Sequence, residues 1–474
     1  MSNNRKFYIN GEWVAPLVKS VHEVINPATE EVCGSISLGS KADVDRAVSA
    51  AKTAFEHYSQ TNKAERIDML ESIVNVYKKR IPEIAAVVGM EIGAPLELAT
   101  SIHAGRAQHT FEHIIETLRN YEFHQPLGST GIVREPIGVC GLITPWNVPI
   151  EILVNKTAPA LAAGCTIVAK PSELAPLSVI IFAEVLHEAG VPKGVFNLVN
   201  GDGPTVGQAI AEHSDIDLVS FTGSTRAGVL VAKAAAESVK RVQQELGGKS
   251  ANIILPDADI EQVAAAGLIR CFLAGGQSCQ SPTRMLVHVD QHDKAVAAAK
   301  SAAESYIVGD PFDPQTTMGP VCNHPQYEKI QRLIQAGIDE GATLATGGLG
   351  RPDGLHKGLY VKPTVFGHVE RKMTIAQEEI FGPVLSILPY RTEEEAIEIA
   401  NDSAYGLAGW VYSADLARAR ATALKMRTGR VYLNGAAPDP AAPFGGYKSS
   451  GNGREGGVFG LEAFLEIKAL LGEN

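Results

Sequence analysis

Cys279 lies in a run of small and turn-forming residues, 274–281, where a ligand can approach a thiol closely. A cysteine thiolate is a nucleophile that can attack a carbonyl carbon. The alternative is a small buried hydrophobic residue, the usual role of a single cysteine. No two of the 6 cysteines form a Cys-x-x-Cys pair. We therefore expect free thiols and assign these to core packing: Cys140, Cys165, Cys271 and Cys322.

Glu245 and Asn147 are further candidates for chemistry at a carbonyl group. Glu245 ends a strand-like run, 242–245, just before two glycines, where a carboxylate can act as general base for a water. Asn147 is held between two prolines after another strand-like run, and a fixed amide donor can stabilise an oxyanion. Taken singly, Glu245 is equally explained as a surface residue and Asn147 as a turn former.

Two strand-turn-helix units have the character of a dinucleotide site. In residues 218–228 the backbone N–H groups of a helix start, with Ser224, suit a phosphate, although a plain tight turn is the alternative. In residues 166–173 a strand ends at Lys170 and is followed by Glu173. A carboxylate there can bind ribose hydroxyls and repels a 2'-phosphate, which favours NAD over NADP. The alternative is a solvated lysine and a helix-start glutamate.

These candidates must be positioned by the alternating elements around them. Strand-like runs occupy residues 139–143, 166–170, 195–199, 218–221 and 251–255, and helical runs occupy 177–188, 205–212 and 227–237. This order predicts an open, largely parallel sheet with ligands beyond the carboxyl ends of its strands. A second α/β region follows Gly247, with helices near 260–273, 293–306 and 326–337 and strands near 284–288 and 384–389. We expect a cleft between the two regions.

The bulk composition limits the function classes. A chain of 474 residues exceeds the roughly 250 to 300 residues of a single core, so we expect two or three domains. The net charge of -11, without a Lys/Arg block, argues against nucleic acid. No apolar run reaches the roughly 18 residues that span a bilayer, and no signal peptide is visible. Free thiols fit a reducing compartment, and we expect a cytoplasmic protein without membrane partners.

Seven segments together resemble the aldehyde dehydrogenase superfamily, in its NAD(P)-dependent, hydrolytic, non-acylating type. They are 144–147 (Thr-Pro-Trp-Asn), 170–173 (Lys-Pro-Ser-Glu), 221–228, 245–249 (Glu-Leu-Gly-Gly-Lys), 276–279 (Gly-Gln-Ser-Cys), 379–383 (Glu-Ile-Phe-Gly-Pro) and 443–448 (Pro-Phe-Gly-Gly-Tyr-Lys). The resemblance covers nearly the whole chain. It implies an α/β fold with a Rossmann-like cofactor domain, an α/β catalytic domain and a small β oligomerisation arm, in a homodimer or homotetramer. The implied boundaries are 1–117 with 137–246, 247–447, and 118–136 with 455–474.

Carried onto this sequence, the resemblance implies that Cys279 is the nucleophile and Glu245 the general base. Asn147 is the implied oxyanion donor, beside the backbone N–H of Cys279. Lys170 is implied as a catalytic-site residue and, with Glu173, as a ligand of the adenosine ribose.

The resemblance also implies the remaining cofactor contacts. Ser224 is expected at the pyrophosphate, and Glu379 and Phe381 are expected on the nicotinamide-ribose side. The other implied cofactor-binding residues are Ile143, Thr144, Pro145, Trp146, Ser172, Gly203, Gly207, Phe221, Thr222, Gly223 and Leu246.

The implied reaction oxidises an aldehyde to its carboxylic acid and reduces NAD, through a thiohemiacetal and a thioester on Cys279. A CoA-acylating enzyme is one alternative, but that type generally lacks the glutamate that Glu245 matches. A catalytically inactive relative with a binding or structural role is another, although every chemical position is present. A metal site is a third, because His103, His109 and His113 lie near Glu112. We expect helix-surface or interface histidines there, and no metal.

The positions expected to shape a substrate tunnel are small, apolar or neutral: Val148, Ile152, Asn155, Leu273, Ser278, Gln280 and Pro438. They include no arginine or lysine for a substrate carboxylate, although Arg284 is close in sequence. We therefore expect a neutral aliphatic or aromatic aldehyde. A second carboxylate on the substrate is expected to lower kcat/KM.

Overall fold

The computed structural model describes residues 3–473. Its strands are β1 (Phe7–Ile9), β2 (Glu12–Val14), β3 (Val21–Asn26), β4 (Glu31–Ser37), β5 (His124–Leu127), β6 (Thr130–Pro136), β7 (Val139–Ile143), β8 (Thr166–Lys170), β9 (Phe196–Leu198), β10 (Leu218–Thr222), β11 (Arg241–Glu245), β12 (Ala251–Ile254), β13 (Arg284–His288), β14 (Thr343–Thr346), β15 (Thr364–Gly367), β16 (Val384–Tyr390), β17 (Ala408–Tyr412), β18 (Arg430–Leu433), β19 (Gly451–Asn452) and β20 (Leu465–Leu471).

Helices alternate with these strands over most of the chain. They are α1 (Lys41–Tyr58), α2 (Lys63–Ile92), α3 (Leu96–Leu98), α4 (Gly105–Asn120), α5 (Pro149–Ala163), α6 (Leu177–Glu188), α7 (Gln208–Glu212), α8 (Thr225–Ala236), α9 (Ile260–Cys271), α10 (His292–Glu304), α11 (His324–Asp339), α12 (Thr374–Gln377), α13 (Glu393–Asn401), α14 (Leu416–Ala423) and α15 (Gly457–Glu462). Two π-helical turns, Ala99–Ala104 and Gly203–Gly207, precede α4 and α7.

The first sheet has the order β19-β11-β10-β7-β8-β9-β1-β2. Its five central strands are parallel, and β7, β8, β9 and β10 are buried along their whole length. Such strands are apolar throughout because helices cover both faces of the sheet. The chain runs from β7 through β8 to β9 and then returns to place β10 on the other side of β7. Ligands bind outside the carboxyl ends of strands at such a reversal of strand order.

The second sheet has the order β14-β15-β16-β13-β12-β17-β18. Its neighbours are parallel except for β14, which pairs antiparallel with β15. Helices α9 and α10 pack on one face, around an apolar cluster that includes Cys271 and Leu385. A different cluster, which includes Ile330 and Phe366, fills the other face. The predicted second α/β region is therefore present.

Three further strands form a small separate sheet. Strands β5 and β6 make a hairpin, and β20 pairs antiparallel along the whole length of β6. The sheet order is β20-β6-β5, so β20 is an edge strand of this sheet. Asn474, the last residue assigned to the oligomerisation arm, lies outside the described residues.

The sequence misplaced some elements. The sequence places the run 251–255 among the strands of the first sheet. In the structure this run forms β12, which pairs with β13 and β17 in the second sheet. The single helix expected over 205–212 is a π-helical turn followed by the short helix α7. Strand β19, near the end of the chain, adds an antiparallel edge to β11. Such pairings between residues far apart in sequence are invisible to local periodicity.

Candidate active site

The two large sheets meet where the chain passes from β11 to β12. Residues 246–250 connect the carboxyl end of β11 directly to the amino end of β12. The same amino edge of the second sheet carries the turns that precede β13 and β16. Residues that follow strands of the first sheet therefore face residues that precede strands of the second.

A cavity of about 390 Å³ lies at this junction, and we call it the tunnel. Cys279, Glu245, Asn147 and Thr222 all line it. The predicted chemical residues, far apart in sequence, thus share one cavity. The volume falls within the roughly 300 to 1,000 Å³ of small-molecule sites.

The turn that carries Cys279 requires small residues. It follows α9 as a tight turn in which Ala274, Gly275 and Gly276 have φ values of 53°, 65° and 71°. A methyl group on Gly276 would overlap the carbonyl of Gly382, and one on Gly248 would overlap the Cys279 carbonyl oxygen. Close backbone approach therefore fixes the position of the thiol.

The Cys279 side chain is partly accessible from the tunnel. Removal of water by the surrounding protein, with the nearby carboxyls of Glu379 and Glu245, raises the pKa of the thiol. The sulfur is therefore protonated at neutral pH, and a nucleophilic attack requires a group that takes its proton.

Glu245 is buried at the end of β11, and neither carboxyl oxygen has a hydrogen-bond partner among the described residues. Burial and the neighbouring Glu455 raise its pKa well above the ordinary value, against the opposing charge of Lys156. A raised pKa makes the carboxylate a stronger proton acceptor, as a general base requires.

Two residues that the sequence did not reveal surround Glu245. The Lys156 ammonium is buried on α5, pairs with the Glu455 carboxylate and donates to the Ser220 hydroxyl at 3.0 Å. A lone lysine in the apolar run of α5 and a glutamate among glycines near β19 were the available signals. The sequence does not mark them as a pair because 299 residues separate them in the chain.

Asn147 is oriented by the turn that carries Cys279. Its side-chain amide donates to the Gln277 carbonyl oxygen at 2.9 Å. An amide nitrogen has two hydrogens, so a second donor is free. The predicted fixed donor is therefore present in the tunnel.

Lys170 lies elsewhere. Its ammonium donates to the carbonyl oxygens of Pro171 and Gly201, each at 2.8 Å, and lies 3.6 Å from Glu173. Lys170 does not line the tunnel, so its assignment to the catalytic group finds no support in the structure. Its position at the end of β8 agrees with the cofactor assignment.

The other proposed cofactor contacts follow neighbouring parallel strands. Residues 143–146 lie at the end of β7, Ser172 and Glu173 after β8, and residues 221–224 at the end of β10. Ser224 caps α8, accepting a hydrogen bond from the backbone N–H of Ala227 at 3.3 Å. Gly203 and Gly207 lie in the π-helical turn beyond β9, and Leu246 follows β11. All therefore lie along the carboxyl edge of the first sheet, which suits a dinucleotide.

Glu379 and Phe381 come from the second sheet and reach this edge. The Glu379 carboxylate accepts a hydrogen bond from the Gly248 N–H at 2.8 Å. The Phe381 and Trp146 rings meet edge to face with centroids 5.5 Å apart. Both predicted residues thus lie at the junction of the sheets.

All seven positions predicted to shape the substrate tunnel line it. Two arginines outside these positions, Arg106 of α4 and Arg430 of β18, also line it, and Arg106 lies 3.9 Å from Glu151. Arg284, the arginine noted from its sequence position, is buried and donates to backbone carbonyls of Lys249, Ile399 and Ala400. The sequence missed Arg106 because α4 is remote from the motifs that mark the site.

The three histidines considered for a metal site lie in the tunnel wall. His103, His109 and His113 line the tunnel. Burial, with Arg106 nearby, lowers the pKa of His103 to about 4, so this ring is neutral. Glu112 instead pairs with Lys78 at 2.9 Å.

Comparison with known proteins decides the family. The family model described as "Aldehyde dehydrogenase family" matches residues 13–470. The chain belongs to this family. A curated relative, 3-succinoylsemialdehyde-pyridine dehydrogenase from a Pseudomonas species, is 54% identical, and the match covers 100% of this chain and 99% of the relative.

Solved aldehyde dehydrogenases have the same fold. Crystalline aldehyde dehydrogenase C from Pseudomonas syringae, a cysteine-to-alanine mutant in complex with NAD+ and octanal, is 49% identical, with a TM-score of 0.99 over 100% of this chain and 98% of that one. The NAD+ complex of an aldehyde dehydrogenase from Bacillus cereus is 38% identical, with a TM-score of 0.95 over 99% and 96%.

The enzyme is therefore an NAD-dependent aldehyde dehydrogenase that oxidises aldehydes to carboxylic acids. The comparisons do not support the CoA-acylating alternative. Within residues 3–473, no helix has the length and apolar composition needed to cross a membrane.

Proposed function

We propose that Cys279 is the nucleophile of this aldehyde dehydrogenase, with Asn147 as oxyanion donor and Glu245 as general base. The single observation that carries the proposal is that these three side chains line one tunnel. The carboxyl edge of the first sheet holds NAD beside it, which when bound accepts the hydride.

The first step forms a bond between the Cys279 sulfur and the aldehyde carbon, and an electron pair moves to the carbonyl oxygen. Because the pKa of the thiol is raised, its proton must pass to a base, and Glu245 is a carboxyl that lines the same tunnel and raises the thiol pKa. The free amide hydrogen of Asn147 then stabilises the oxyanion, a contribution of roughly 3 to 4 kcal/mol for one such donor. Loss of hydride from the carbon leaves a thioester.

Water resolves the thioester. Glu245 first releases to solvent the proton that it took from the thiol. It then accepts a proton from the water as the water oxygen attacks the acyl carbon. The carbon–sulfur bond breaks, this proton passes to the departing thiolate, and acid and thiol are released. The buried pair of Lys156 and Glu455 holds opposite charges close to Glu245. Glu455 raises the pKa of Glu245 and Lys156 lowers it, so the pair moderates how tightly Glu245 holds the proton that it accepts.

The positions of the residues at the carboxyl edge of the first sheet suggest which part of NAD each one binds. Lys170 and Glu173 bind the adenosine ribose, Ser224 contacts the pyrophosphate, and Glu379 and Phe381 contact the nicotinamide ribose. A carboxylate at the ribose disfavours a 2'-phosphate, which makes NADP the poorer cofactor.

The chain divides into a cofactor domain (1–117 and 137–246), a catalytic domain (247–447) and an arm (118–136 and 455–474). The arm presents the apolar side chains of Ile467 and Leu471 on its edge strand, 69% and 85% exposed. Exposed apolar edge strands pair with other chains. A homodimer or homotetramer in the cytoplasm follows, and Ile467→Lys should lower the mass measured by light scattering.

The substrate is a neutral aldehyde. The tunnel wall combines apolar side chains, such as Val148 and Ile152, with acids that offset its two arginines, so it has no excess of positive charge for an anion. The neutral aldehyde octanal in one relative, and the pyridine semialdehyde in the name of another, agree with this choice.

The test measures NADH and carboxylic acid formed from neutral aldehydes, with and without CoA, by the wild type and by Cys279→Ala. We expect equal amounts of acid and NADH, no need for CoA, and a loss of at least about a thousandfold in the variant. Cys271→Ala, a buried cysteine outside the tunnel, is the matched control. Acyl-CoA in place of acid, or full activity of Cys279→Ala, would refute the proposed roles.

A further inference from the structure

A small cavity of about 20 Å³ opens beside the tunnel, and we call it the side chamber. Arg106 and Gln280 line both spaces, whereas Arg270, Ser281 and Trp410 line the side chamber and not the tunnel. Its volume exceeds the roughly 10 to 15 Å³ that a single water needs. One small polar group of a ligand therefore fits.

The side chamber contains buried hydrogen-bonding groups without partners. Within residues 3–473, neither Trp410 Nε1 nor Ser281 Oγ has a hydrogen-bond partner. The indole is fixed, because it stacks on Tyr432 with ring centroids 4.9 Å apart and planes 12° from parallel. An unsatisfied buried N–H is costly and rare. A ligand that accepts hydrogen bonds would satisfy it.

The remaining polar groups are also donors. Gln280 Oε1 accepts from the Tyr432 hydroxyl at 3.2 Å, which leaves the Gln280 amide N–H groups free. Arg106 and Arg270 also line the side chamber, and among the described residues no aspartate or glutamate does. The side chamber thus offers several donors and no charged acceptor.

The side chamber lies close to the reacting sulfur. Ser278 and Gln280, the neighbours of Cys279 in sequence, both line it. A group only a few bonds from the aldehyde carbon therefore reaches it when the carbon is at the sulfur.

We propose that the side chamber is a specificity subsite for an uncharged hydrogen-bond acceptor, such as a ketone oxygen, a few bonds from the aldehyde group of the substrate. The proposal rests on the proposed function of Cys279. It assigns to Trp410 and Ser281 the role of direct donors, and to Arg106 a donor at the entrance.

A carboxylate is the less favoured occupant. Arg106 lies 3.9 Å from the Glu151 carboxyl. The tunnel that leads to the side chamber is lined by Glu455, which pairs with Lys156, and by Asp439 and Arg430. An anion must lose its water shell and pass these acids, whereas a ketone loses less on entering. A neutral acceptor therefore forms hydrogen bonds with the donors of the side chamber at a lower desolvation cost than an anion.

The test uses three aldehydes of nearly equal size that differ in the far end: isocaproaldehyde with an isopropyl group, levulinaldehyde with an acetyl group, and succinic semialdehyde with a carboxylate. We expect kcat/KM for levulinaldehyde to exceed that for isocaproaldehyde by about threefold to tenfold, the value of one hydrogen bond. Succinic semialdehyde should be the poorest of the three.

Two variants link any preference to the side chamber. Trp410→Phe removes the N–H but keeps an aromatic ring, and Ser281→Ala removes the hydroxyl. Each should reduce the ratio of levulinaldehyde to isocaproaldehyde toward one, whereas Trp13→Phe, remote from the site, should leave both rates unchanged. Two variants are used so that poor folding of one leaves a result from the other.

The outcomes separate the two proposals. Oxidation of isocaproaldehyde without preference for levulinaldehyde, or a preference that both variants retain, would overturn the subsite alone. A faster reaction with succinic semialdehyde would overturn its neutral character. If Cys279→Ala oxidised isocaproaldehyde as fast as the wild type, the proposed role of the cysteine would fail instead.

Discussion

The two sheets contribute to the active site in different ways. The carboxyl edge of the first sheet supplies side chains from strand ends, with Glu245 after β11 and Asn147 after β7. The amino edge of the second sheet supplies tight turns, with Gly248 before β12 and Cys279 before β13. The first edge provides functional groups on a rigid base, and the second provides close backbone approach. Substitutions at the first sheet should therefore remove a reacting group, whereas substitutions at the second should displace the Cys279 sulfur.

The largest loss of activity is expected for Glu245→Gln, at the edge of the first sheet. The amide fills the same space but cannot accept a proton, so steady-state turnover should fall by about a thousandfold. Because Glu245 also takes the proton of the Cys279 thiol, the burst of NADH that accompanies acyl-enzyme formation should slow together with turnover. Glu237→Gln, an exposed glutamate at the end of α8, is the control.

The pH dependence follows from the raised pKa of Glu245. The base form of a carboxyl exists above its pKa, so wild-type turnover should rise with pH through a value well above 4.5. The Gln variant should lack this rise. A rise of equal size in the variant, measured under saturating aldehyde and NAD, would exclude Glu245 as its source.

The next effect is expected at the other edge, for Gly248→Ala. The added methyl group would meet the Cys279 carbonyl oxygen, and backbone must then move. A misplacement of about 1 Å costs about a hundredfold in rate. We expect kcat to fall while NAD binding, measured by calorimetry, changes little. Wild-type kcat in this variant would show that close approach at the second edge is not required.

The smallest effect is expected for Glu173→Gln, at the first edge but outside the tunnel. Removal of this partly exposed charge should raise kcat/KM for NADP relative to NAD by about fivefold, because charge effects at exposed sites are small. Glu188→Gln, at the far end of α6, should leave the ratio unchanged. An unchanged ratio in both variants would mean that Glu173 does not face the ribose.

Most of the first sheet could be predicted from its sequence. Runs such as 139–143 and 166–170 are buried on both faces, so continuous apolar residues mark them. The second sheet was predicted less well, because β12 is equally apolar and only its partners assign it to that sheet. Periodicity reports burial, but not which strand lies alongside.

The sequence by itself determined the family resemblance, and with it Cys279, Glu245 and Asn147, because these residues lie in local segments with distinctive neighbours. Only the tertiary structure decided what surrounds them. Lys156 and Glu455 meet beside Glu245 although 299 residues separate them. Arg106 and Trp410 enter the site from elements without a motif. Charge and burial depend on all the residues that fold around a group, and this sum is not encoded in any one segment.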